Sequence, residues 1–98
     1  MRQFRYLTPA RAELRAAARY YRDRSPRVAD SFMAAVQVSV EAVLEFPEAA
    51  AIVQGDTRGK VLLKFPYTIL YRMDSEVVVI VAVMHQKQRP EYWADRIK

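Results

Sequence analysis

Residues 77–84 read VVVIVAVM, an unbroken apolar run dominated by β-branched side chains. In an extended chain, successive side chains point to opposite faces, so a run of this kind has no face to offer water. It predicts a central strand over Val77–Met84, buried on both sides. The run is far too short to cross a bilayer, which takes about 20 apolar residues in a helix. A chain of 98 residues sets the default at one domain, residues 1–98, with a modest core.

Upstream, two helix-start signals stand close together. In TPAR, Thr8 is placed to cap a helix and Pro9 suits its first turn. Residues 9–23 are rich in Ala and Arg, both good helix formers. At roughly 100° per residue, Ala10, Leu14, Ala17, Ala18 and Tyr21 share one face, and Arg11, Arg15, Arg19 and Arg22 form a stripe beside it. The stripe is either a solvated face or a docking surface for acidic side chains or phosphates. SPRVAD repeats the signal, with Ser25 as cap and Pro26 opening a second helix that runs to about Phe46, ahead of Pro47. Val28, Phe32, Ala35, Val36, Val40, Val43 and Leu44 cover about half its circumference, so it should pack against both the first helix and a sheet. The short Tyr21–Ser25 connection makes the two helices an antiparallel hairpin.

The remaining segments read as extended. Met1–Tyr6 suits a short opening strand. Residues 47–59 read as a loop with a brief extended piece at Ala51–Val53. Lys60–Phe65 and Tyr67–Arg72 are strand candidates, the second with Tyr67, Ile69 and Tyr71 on one face. Met73-Asp74-Ser75 reads as a turn, and Pro90–Lys98 as a tail with a helical turn. The expected fold is α+β, in the order β-α-α-β-β-β, with a helical hairpin on a small, largely antiparallel sheet.

Charge is uneven along the chain. Residues 1–27 carry eight Arg against Glu13 and Asp23, residues 28–56 carry five acids and no Lys or Arg, and residues 57–98 carry eight bases against four acids. The acidic middle argues against a uniform nucleic-acid coat and leaves room for a basic face aimed at one anionic partner. With no Cys and one His, thiolate and histidine metal centres are not expected, and no glycine-rich loop offers a nucleotide site. No cofactor is expected. The N-terminus lacks the apolar core of a secretion signal, so a soluble cytoplasmic protein is expected.

One reading of the C-terminal stretch MHQKQRPEYW is catalytic. A metal-free ribonuclease needs a base, an acid and cations around the phosphorane. His85 could serve as base or acid, Arg58, Lys60, Arg72 and Arg89 could hold phosphate, and Tyr92 could stack on a base. Basic side chains are common on any basic domain, and a lone His at a strand end is more often structural.

The ordered pieces resemble the RelE/ParE superfamily of toxins from bacterial type II toxin–antitoxin modules, with the ParE-like branch fitting best. These pieces are LTPARAEL with Ala18, Tyr20 and Tyr21; Phe32 and Phe46-Pro47; Arg58 with Lys64-Phe65-Pro66-Tyr67 and Tyr71; and Val83-Met84-His85 with Arg89-Pro90-Glu91-Tyr92-Trp93 and Arg96. The resemblance implies a small cytoplasmic toxin, of the plasmid-stabilisation kind, in a hetero-oligomer with a cognate antitoxin and away from any membrane. It also implies DNA gyrase as the target, without enzymatic activity of its own. The RelE-like alternative is a ribosome-dependent mRNA endoribonuclease, and a third possibility is a degenerate toxin that only binds antitoxin. Nuclease members tend to carry an arginine three residues before the tyrosine matched here by Tyr71. Thr68 stands there and brings no charge to a phosphorane. Arg11, Arg15 and Arg19 are the expected antitoxin contacts, and Arg58, Lys60, Arg89 and Trp93 the expected target contacts.

Overall fold

The computed structural model describes residues 2–97. Strand β1 (Gln3–Tyr6) leads into helix α1 (Thr8–Arg24) and helix α2 (Pro26–Glu45). Four strands follow: β2 (Ala51–Gln54), β3 (Thr57–Val61), β4 (Tyr67–Asp74) and β5 (Val77–His85). A short 3-10 turn at Ala94–Ile97 ends the chain as described. The sheet order is β1-β5-β4-β3-β2; only β1 with β5 is parallel. The expected α+β architecture is therefore observed. Met1 and Lys98, the outermost residues of the expected first strand and tail, lie outside the described residues.

The VVVIVAVM run is the central strand. Val78 to Val83 are each no more than 1% exposed. On one face, Val78 and Ile80 join Ile69 and Tyr71 beneath the helical hairpin, which contributes Ala10, Ala17, Phe32, Val36, Val40 and Val43. On the other face, Val81 and Ala82 join Leu70 and Trp93 in a second, smaller core closed by the C-terminal tail. The β4–β5 register shifts between Leu70, opposite Ala82, and Tyr71, opposite Ile80. Val81 is thus an extra residue on β5, a β-bulge that lets two successive side chains serve the tail-facing core.

Several boundaries differ from expectation for local reasons. Thr8 is not the cap of α1. The Leu7 N–H still bonds the Ile80 carbonyl at 2.9 Å while the Leu7 carbonyl accepts the Arg11 N–H, so the strand runs into the helix one residue early. Ser25 occupies the cap position of α2 but makes no side-chain cap bond. Its N–H closes α1 on Tyr21 O and its carbonyl accepts the Ala29 N–H, so one residue turns the hairpin.

The extended piece at Ala51–Val53 is a full edge strand, paired with β3 through a turn at Gly55 and Asp56. Gly55 takes φ +57°, which a Cβ would strain. The strand expected at Lys60–Phe65 sits earlier. β3 stops at Val61 because the backbone turns at Lys64, φ +70°, which drops Phe65 against the helices and buries Leu62. Gly59 lies under Val53, Thr68 and Leu70, where a Cβ would come within 3.0 Å of Val53 Cγ2, so this strand needs a residue without a side chain. The β4–β5 turn falls at Ser75-Glu76, one residue later than expected.

The aromatics of the sequence pieces pack on one another. Phe32 lies 5.4 Å from Phe65 and 5.3 Å from Tyr67, and Tyr21 lies 5.1 Å from Phe32 and 5.3 Å from Phe65, all between ring centroids. Phe32 is the hub and is fully buried. Phe32→Ala should therefore lower unfolding stability by about 3–5 kcal/mol. Val38→Ala, on the exposed face of the same helix, should stay within about 0.5 kcal/mol of the parent. Urea titration followed by far-UV circular dichroism measures both.

Candidate functional site

The candidate catalytic residues do not converge. His85 pairs with Tyr67 across β4–β5, with ring centroids 5.0 Å apart, on the helix-facing side of the sheet. Its Nδ1 accepts the Lys87 N–H at 3.0 Å, and its own N–H donates to Gln88 Oε1 at 2.8 Å. These bonds make His85 the organiser of a tight turn, with Nδ1 already occupied. Arg72 alternates with Ile69 and Tyr71 and so lies on the opposite face, five positions along β4 from Tyr67, or about 16 Å at 3.3 Å per residue. Thr68 lies on that opposite face too, against Gly59 and Leu70.

Arg58 is committed elsewhere. Its Nη1 donates to Glu48 O at 3.0 Å and Ala50 O at 2.7 Å, while Tyr71 Oη donates to Pro47 O at 2.6 Å. The arginine and tyrosine of this sequence piece thus pin the α2–β2 connection to the sheet. Burial pushes the Tyr71 pKa above its ordinary value, with the Arg58 charge opposing. Trp93, expected among the target contacts, is 0% exposed and presents no surface. Lys60 is half-buried beside Tyr71, and Arg89 is exposed on the tail.

Tyr92 and Arg96 belong to a different arrangement, one centred on Glu13. β1 ends opposite Ile80, so the outer edge of β5 beyond that residue has no neighbouring strand among the described residues. Side chains fill the place. Glu13 Oε1 accepts the Val83 N–H at 3.0 Å, and Arg96 Nη1 donates to Val81 O at 3.1 Å. The two side chains also bond each other, Arg96 Nη1 to Oε1 at 3.0 Å and Nη2 to Oε2 at 3.2 Å. This fork-to-fork geometry is the strong form of such a pair. The Tyr92 ring lies 5.1 Å from the Arg96 guanidinium carbon. Burial first, and then the neighbouring Glu13 carboxylate, push the Tyr92 pKa well above its ordinary value, with Arg96 opposing. The phenol is therefore held neutral.

Sequence reasoning passed over Glu13. A signal was present: Ala10, Glu13 and Ala17 stand at i, i+3 and i+7, so the acid falls within the apolar stripe of its own helix.

A broad concave surface lies elsewhere among the described residues, between β1, α1 and α2. Two adjoining depressions of about 590 and 690 Å3 share Phe4, Tyr6, Leu14 and Met33 as their floor. Arg11, Arg15, Arg19 and Arg22 line the first, with no acid among its lining residues. Asp30 and Glu41 from α2 line the second. The arginine stripe read from the sequence is thus one wall of an apolar groove, with an acidic wall facing it. Arg22 joins the expected set of Arg11, Arg15 and Arg19. The Arg11 guanidinium also sits 5.9 Å over the Tyr6 ring.

Residues 4–90 match the family model described as ParE toxin of type II toxin-antitoxin system, parDE. No curated protein matches the chain in sequence. Among solved structures, one from the chromosomal ParDE TA system of P. aeruginosa superposes with a TM-score of 0.74 at 17% identity, over 87% of this chain and 96% of that one. At that identity the likeness is one of fold.

Two Glu13 variants separate the functions of its carboxylate. Glu13→Ala should lower stability by about 2 kcal/mol, since it strands the Arg96 guanidinium and the Val83 N–H together. Glu13→Gln keeps an acceptor for Val83 and should cost less. Hydrogen exchange at Val83 reports the difference: fast in the alanine variant, slow in the glutamine one.

Proposed function

The chain belongs to the ParE toxin family of type II toxin–antitoxin systems, and on that premise we propose that it acts in the cytoplasm by binding DNA gyrase and is silenced by a cognate antitoxin seated in the Phe4–Leu14–Met33 groove. The observation that favours binding over RNA cleavage is the dispersal of the candidate catalytic set. His85 and Arg72 occupy opposite faces of the sheet, Arg58 is held by loop carbonyls, and Thr68 is uncharged. General acid–base chemistry on a phosphodiester needs its groups within hydrogen-bond reach of one substrate. Arg89 and Lys60 are the remaining cations of the expected target surface.

The groove suits an amphipathic helix or strand. Its apolar floor would take the hydrophobic side of the segment, and acids along one flank would meet Arg11, Arg15, Arg19 and Arg22. Such a segment in complex with the toxin would form the expected hetero-oligomer.

Purified toxin added to a gyrase supercoiling assay should inhibit supercoiling or trap cleaved DNA, and Arg89→Glu should weaken the effect. No inhibition at large molar excess, together with new mRNA ends on translating ribosomes after induction, would instead select the nuclease reading. Separately, the double variant Arg15→Glu, Arg19→Glu should weaken antitoxin binding by tenfold or more at low salt, about 1.4 kcal/mol. The gap should narrow as salt screens the groove, and titration calorimetry at two ionic strengths measures it.

A further inference from the structure

Among the described residues the sheet carries two free edges, β1 and β2, each four residues long, with a bulge in β2 between Ile52 and Gln54 and a charge, Arg5, on β1. β2 reads AIVQ, with no charge and no proline, and all its residues are exposed; Ile52 is 60% and Val53 48% exposed. On β1, Gln3, Phe4 and Arg5 are exposed. Uncovered edges with apolar side chains are templates for pairing with another strand. We propose that these two edges pair with each other between copies, so that the free toxin assembles head to tail into a continuous sheet.

Three observations select this occupant. The first is direction. β1 runs parallel to β5, and the successive antiparallel steps to β4, β3 and β2 leave β2 running opposite to β1. A second copy translated along the sheet, with its helices on the same side, therefore presents its β1 antiparallel to β2, and both strands are four residues long. The second is facing. Phe4 and Tyr6 pair with Val78 and Ile80 of the helix-facing core, and Ile52 pairs with Arg58, whose partner Tyr71 lies in the same core. Ile52 of one copy thus meets the aromatic side of β1 in the next.

The third is charge. Antiparallel alignment brings the Arg2 end of β1 to the Asp56 end of β2, opposite signs together. The symmetric alternatives oppose like charges. Two β2 strands about a two-fold axis set Asp56 of each near the Glu48 end of the other, and two β1 strands set arginine near arginine. Like charges placed directly opposite across strands are unfavourable. A head-to-tail contact is heterologous and does not close at two copies. Because Phe4 and Tyr6 also floor the groove, a segment seated there covers part of the β1 edge, so groove occupancy and assembly compete.

Sedimentation velocity on the full chain, free of any partner, tests the proposal across a range of concentration and salt. The sedimentation coefficient should climb past that of a dimer as concentration rises, and should fall with added salt. Ile52→Lys, at an exposed site, should return the protein to a single copy with its circular dichroism spectrum and melting temperature unchanged. Arg2→Glu should weaken assembly, and combining it with Asp56→Lys should restore it. A chain that stays monomeric at all concentrations, growth that stops at a dimer, or assembly indifferent to both Ile52→Lys and Arg2→Glu would each overturn it.

Discussion

A fully apolar strand has to be covered on two faces and hydrogen-bonded on two edges, and β5 imposes that demand on the whole fold. Its helix-facing side recruits the α1–α2 hairpin, and its other side recruits Trp93 and the tail. β4 takes one edge throughout, while β1 takes the other only as far as Ile80. Beyond that point Glu13 and Arg96 stand in for a strand, one supplying an acceptor to Val83 and the other a donor to Val81. An unpaired backbone group at a buried edge is about as unfavourable as a lost hydrogen bond, so the pair completes the sheet as well as tying α1 to the tail.

This division of labour changes the meaning of the polar residues that first suggest catalysis. Arg58 and Tyr71 secure a loop, His85 sets a turn, and Tyr92 and Arg96 flank Glu13. Arg58, Tyr71, His85 and Arg96 each lie where the backbone has groups to satisfy and spend donors or acceptors on doing so, while the Tyr92 ring lies against the Arg96 guanidinium. The arginine stripe on α1 behaves differently. It stands exposed along an apolar groove and keeps its charges available to a partner. The side chains that the sequence makes look most enzymatic hold the scaffold, and the ones that look merely solvated line the groove.

Legibility followed periodicity. The helical hairpin, the central strand and the arginine stripe could all be read because each rests on a spacing that repeats over several turns or residues. The hairpin of β2 and β3 was only half readable. Its placement depends on Gly55 and Lys64 adopting positive φ, and a lysine announces no such backbone. The Thr8 cap misled because a threonine before a proline is a good local signal, whereas Leu7 already had its N–H committed to Ile80 across the sheet. Trp93 misled in the same way: a tryptophan near a basic tail suits a contact surface equally well until a second core is seen beneath it.

By itself the sequence determined the element types, the face each helix buries, the burial of β5 and the basic stripe of α1. Those follow from side-chain periodicity and hydrophobicity, which act locally. The tertiary structure alone decided which residues meet. Glu13 finds Arg96 across 83 residues, the bulge at Val81 turns two neighbours toward Trp93, and the catalytic candidates part to opposite faces. Strand register makes these choices, because a shift of one residue exchanges the two faces of a sheet, and register is set by contacts between segments that no local pattern records.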